Sequence, residues 1–132
     1  MPSYYIVLER PIPNFDVYVN GNMLSKESDA LEKLAKKLGV TPMLNFFSIG
    51  PEELTSLVGD EGETVEKLGV KAPKEQWFNA EDGLTTVKKL MSHLKHLKLD
   101  RSDQVLSNLK EFEKVLETAG QSGVRWHLAI DY

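Results

Sequence analysis

Apolar and polar residues alternate from Val124 to Asp131. Val124, Trp126, Leu128 and Ile130 fall on one side, and Arg125, His127, Ala129 and Asp131 on the other. A period of two is that of a strand with one buried face. Tyr4 to Glu9 repeats the pattern with aromatic and β-branched residues: Tyr4, Ile6 and Leu8 oppose Tyr5, Val7 and Glu9. An isolated strand needs a partner, so the two are expected to pair with each other. Pro11 and Pro13 stop the first ladder because neither carries an N–H. Phe15 to Val19 reads as a second short strand. The following Asn20-Gly21 reads as a turn built on positive φ, with Asn22 to Leu24 as a candidate returning arm.

Between the ends the period changes to that of a helix. Leu31, Leu34, Ala35 and Leu38 give one apolar face to a helix over about 26–38. Ser25 or Ser28 is placed to cap it, Lys36 and Lys37 lie in its last turn, and Gly39 sits where a left-handed cap belongs. Pro42 suits the first position of a short helix through Met43, Leu44, Phe46 and Phe47. Pro51 to Leu54 opens another short helix, and Gly59 to Pro73 reads as loop. A longer helix over about 80–97 follows, with Asn79 as cap and Leu84, Val87, Met91 and Leu94 as its stripe. The next helix, about 102–119, carries Val105, Leu109, Phe112, Leu116 and Ala119, and Gly120 is placed to close it. The short link between these two helices predicts an antiparallel hairpin. The expected fold is therefore α+β. A small antiparallel sheet from the N- and C-terminal strands packs against a helical layer dominated by the 80–97 and 102–119 hairpin.

Composition narrows this picture. A chain of 132 residues fits a single domain over 1–132. There is no cysteine, which removes disulfides, thiolate nucleophiles and Cys-based zinc sites and fits a reducing compartment. No apolar run reaches the roughly 18 residues of a membrane span, and no basic region precedes the first apolar stretch. A soluble, cytoplasmic protein with no membrane association is expected. The net charge of −4 weighs against nucleic acid as a partner. Charge is also segregated. Glu52, Glu53, Asp60, Glu61, Glu63 and Glu66 form an acidic run, and Lys88, Lys89, Lys95, Lys98 and Arg101 a basic one.

Little in the chain has the pattern of catalysis. No Gly-x-Ser-x-Gly elbow and no phosphate-cradling glycine loop is present. His93 and His96 share a helical face and with His127 could ligate a metal, but Lys89 and Lys95 flank them and would repel a cation. No metal or cofactor is expected. Two groups of residues remain. Trp77 and Phe78 stand together at the mouth of the 80–97 helix, whose first turn carries Gly83. They serve either as a packing joint or as a recognition surface. Arg125, His127 and Asp131, with Tyr5 and Glu9 brought alongside by strand pairing, form a candidate ligand face. The favoured function is non-enzymatic: an adaptor, regulator or inhibitor that binds another protein, with a homo-oligomer left open. The alternatives are a small-molecule site or minor enzyme on the polar strand face, and nucleic-acid binding through the basic helix.

Overall fold

The computed structural model describes residues 2–49 and 75–131. Strand β1 (Ser3–Leu8) pairs antiparallel with β2 (Trp126–Asp131), with Tyr4 opposite Ile130, Ile6 opposite Leu128 and Leu8 opposite Trp126. Between the strands lie α1 (Asn22–Lys26), α2 (Ser28–Leu38), α3 (Ala80–His93) and α4 (Ser102–Gln121), with single 3-10 turns at Met43–Phe46 and Leu94–His96. The α+β architecture of terminal strands and a helical layer is the one the hydrophobic patterns imply. Helices α3 and α4 run against each other in opposite directions. A Cβ on Gly120, near the end of α4, would lie 3.7 Å from the Cβ of Ala80, which starts α3. The core lies between this helical layer and the sheet face that carries Tyr4, Ile6, Trp126 and Leu128, all buried.

Several local expectations are corrected. Residues 15–19 form no strand and join no ladder. Asn22 to Leu24 is the start of a helix, not the return arm of a hairpin. The turn before it does not use positive φ, since Gly21 has φ −116°. Asn20 Oδ1 accepts the Asn22 N–H at 3.1 Å, and the buried Asn108 Oδ1 accepts the Met23 N–H at 3.0 Å. Those two oxygens satisfy amides that a helix start leaves orphaned, which lets α1 begin earlier than about 26. Gly21 is needed for close approach: a Cβ there would lie 2.8 Å from the Tyr4 carbonyl carbon. The first helix is then two helices, divided at Glu27 (φ −99°, ψ 21°). Gly39 closes α2 in the left-handed conformation, φ 73°, where the pattern placed it.

Pro42 precedes the 3-10 turn in extended conformation instead of opening a helix. Neither the expected caps at Ser25 or Ser28 nor the Asn79 side chain bonds a helix start. The 80–97 helix stops at His93 and tightens to 3-10 geometry. Its buried face runs through Gly83, Thr86, Val87 and Leu90, whereas Leu84 and Met91 are only partly buried. Thr86 can sit inside because its hydroxyl donates to the Thr41 carbonyl at 2.6 Å. The last helix runs past Gly120 to Gln121, and Gly123 (φ 67°) makes the left-handed turn. The expected acidic helix from Pro51 and the loop from Gly59 to Pro73 lie outside the described residues.

Strand β2 is more enclosed than a terminal strand with one buried face. Its first edge pairs with β1. On its second edge Phe78 and Trp126 exchange backbone bonds of 2.8 and 3.0 Å, and the Ser48 N–H donates to the Leu128 carbonyl at 3.1 Å. Both faces are also covered, because His127 and Ala129 are buried along with Trp126 and Leu128.

Candidate functional site

The joint at Trp77 and Phe78 forms around Trp126. Gly83, in the first turn of α3, has no side chain, and the indole of Trp126 fills that space. A Cβ at residue 83 would lie 2.8 Å from Trp126 Cε2 and 3.0 Å from Nε1. The indole N–H donates to the Asn79 carbonyl at 3.2 Å. Phe46 packs on the indole at 5.0 Å between centroids, and Phe78 meets Phe46 edge-on at 5.3 Å and 89°. Phe78 is half-buried, and both its ring and its backbone are engaged in this packing. Trp77 is also half-buried, on the outer side of the sheet, with its ring 4.8 Å from that of His127. The glycine therefore admits an aromatic, as its position in the first turn suggests, but the aromatic comes from β2 and not from the adjacent pair.

Residues of the candidate ligand face share one side of the sheet. The register puts Tyr5 opposite Ala129, places His127 opposite Val7 and aligns Ser3 with Asp131. They do not form one site. At about 3.4 Å per residue, Arg125 and Asp131 are about 20 Å apart along the strand. Glu9 and Arg125 pair with each other across the strands, with Arg125 Nε donating to Glu9 Oε1 at 3.1 Å. This contact holds the Glu9 carboxyl below its ordinary range, chiefly through the hydrogen bond from Arg125. It raises Arg125 in turn.

His127 is 0% exposed, so a ring expected on a polar surface is instead part of the interior. Its Nδ1 lies 3.0 Å from the Leu128 carbonyl and its Nε2 2.7 Å from Glu75 Oε2. Each ring nitrogen thus has an oxygen within hydrogen-bond distance, which is how a polar ring is accommodated in the interior. Glu75 carries no sequence pattern that marks it as a partner.

Tyr5 and Asp131 lie elsewhere, in a cleft of about 800 Å³ between β1 and residues 17–22. Ser3, Ile6, Tyr18 and Asn20 also line it. Tyr18 is 75% exposed. It stands between this cleft and a smaller one lined by Phe15, Asp16, Glu111 and Lys114. The signal for Tyr18 is present in the sequence. Phe15, Val17 and Val19 alternate with Asp16, Tyr18 and Asn20, and the first set turns inward.

His93 and His96 lie together with ring centroids 5.8 Å apart, and His93 Nδ1 faces the Lys89 carbonyl. Among the described residues no three His, Cys, Asp or Glu side chains converge as a metal site would require. Among the same residues, no buried side-chain nitrogen or oxygen lacks a partner. No helix among them is long and apolar enough to cross a membrane. The basic run on α3 is partly countered, since Lys88 lies 3.7 Å from Glu117 of α4. No protein-family model matches the chain, nor does any curated protein or solved structure.

Proposed function

We propose that this is a soluble, cytoplasmic, non-enzymatic module that binds another protein, with the docking surface centred on Tyr18. The observation that carries this reading is the exposure of Tyr18, 75%, between two clefts. Tyrosine is enriched where binding energy concentrates, because it offers a large amphipathic surface at low entropic cost. Trp77 and Phe78 support the reading less than their sequence position suggests, since both rings are engaged in packing contacts. The cysteine-free composition supports a reducing compartment.

The test is affinity purification of wild type beside Tyr18→Ala. A protein that co-purifies with wild type is expected to be lost from Tyr18→Ala, while the melting temperature is unchanged. Retention of that protein by Tyr18→Ala removes the reading. A small ligand in the same cleft is the second reading, favoured by a volume within the usual range of ligand sites. It predicts a thermal shift with a metabolite that Asp131→Asn erases.

A further inference from the structure

We infer that the partner docks as an extended segment added to the outer edge of β1, with a basic side chain directed to Asp131. This rests on the protein-binding reading above and specifies its mode. The Glu9 N–H donates to the Arg125 carbonyl at 2.9 Å, so odd-numbered residues of β1 turn their backbone groups toward β2. Even-numbered ones face the outer edge, as the Tyr4 N–H does in donating to the Gly21 carbonyl at 3.3 Å. Gly21 closes one end of that edge. One step further along, Ile6 turns its N–H and C=O the same way, and neither has a backbone partner among the described residues.

Ile6 lines the 800 Å³ cleft, which follows this edge and the adjoining outer face. A strand added there would gain main-chain hydrogen bonds from Ile6, while the cleft walls select its side chains. Apolar Val17 and Val19 and the ring of Tyr18 line the side opposite β1.

Charge selects the occupant. Among the described residues, Asp131 is the sole Asp, Glu, Lys, Arg or His lining this cleft, and Asp16 lines the neighbouring one beside Tyr18, with Glu111 and Lys114. An added strand would lie two strand spacings from β2, about 10 Å, a span that an arginine and an aspartate side chain bridge together. A second copy of this chain is the poorer occupant. Its own β1, Ser3–Leu8, carries no cation to meet Asp131.

The test follows the Ile6 amide by NMR hydrogen exchange. In the free protein it is expected to exchange much faster than the Val7 amide, which faces β2. Acetyl-Val-Arg-Val-Arg-Val-amide at millimolar concentration is then expected to slow Ile6 exchange. The Glu-for-Arg peptide and a backbone N-methylated peptide are not, and Asp131→Asn weakens the Arg peptide about tenfold. An Ile6 amide already protected in the free protein, or unaffected by the Arg peptide, overturns the inference. Protection that grows with protein concentration, together with a dimer in sedimentation, assigns the edge to a second copy and also overturns it. If Tyr18→Ala loses a co-purifying protein while Ile6 stays unresponsive, the docking surface stands and strand addition fails. If the Ile6 response survives Tyr18→Ala, strand addition stands and the Tyr18 surface fails.

Discussion

The indole of Trp126 lies where a side chain on Gly83 would begin. This relationship sets how closely α3 approaches β2 and rotates the buried face of α3 onto Gly83, Thr86 and Val87. Gly83→Ala is expected to destabilise the fold by about 1–3 kcal/mol, although alanine is the better helix former, because overpacking outweighs propensity. In a Trp126→Leu background the same change is expected to cost less, since the two positions are coupled through one space. Urea denaturation of the four proteins in the cycle measures the coupling, and additive losses would count against this packing.

His127 and Glu75 are expected to behave as parts of the fold. His127→Leu removes a buried ring that bridges a carbonyl and a carboxylate. A loss of about 1–3 kcal/mol is expected, the range for leaving buried polar groups unpartnered. Glu75→Gln keeps a hydrogen-bonding group at Nε2 and is expected to lose less. Equal losses in chemical denaturation would show that the carboxylate itself is required, and not merely a hydrogen-bonding group at Nε2.

Glu9 and Glu32 are shifted in opposite directions. The lowered carboxyl of Glu9 contributes stability above its unfolded value and loses it as pH falls through the folded value. Burial raises the Glu32 carboxyl, partly offset by the backbone amides of Leu44 and Met43. Its ionisation therefore opposes folding, so its contribution is fully present below the unfolded value and lost as pH rises through the folded one. Glu32→Gln is expected to raise the melting temperature at pH 7 and to converge on wild type in acid. Arg125→Gln is expected to move the Glu9 titration, followed by NMR, upward toward its ordinary range.

Tyr18→Ala is expected to change unfolding free energy by less than about 0.5 kcal/mol, as befits a ring with most of its surface already in water. Denaturation midpoints of the two proteins measure this. A larger loss would mean that the ring packs into the fold.

The long periodic segments were readable, and the single-residue contacts were not. Leu31, Leu34 and Ala35, the stripe of α4 and the two alternating strands each repeat one physical instruction several times, and all reappear as buried faces. The second edge of β2 is made by isolated residues, Phe78 and Ser48, that carry no period. That is why His127 reads as half of an exposed face but is buried. The division of the first helix at Glu27 depends on Asn108, far along the chain, which holds the start of α1. The face of α3 follows the bulk of Trp126 more than its own leucines. At the candidate surface, Phe15 to Val19 reads as a strand, but the ladder that would make it one does not form.

The enclosure of β2 on both edges has a kinetic meaning. In chain order, Ser3–Leu8 comes first and its partner comes last, with Glu9 and Arg125 116 residues apart. Ser48 and Phe78 wait on the same short stretch. During synthesis an apolar strand is therefore made long before the strand that pairs with it. Among the described residues no other strand pairs with Ser3–Leu8, so folding is expected to begin in the α3–α4 hairpin and to finish in one late step when Trp126 to Leu128 arrive.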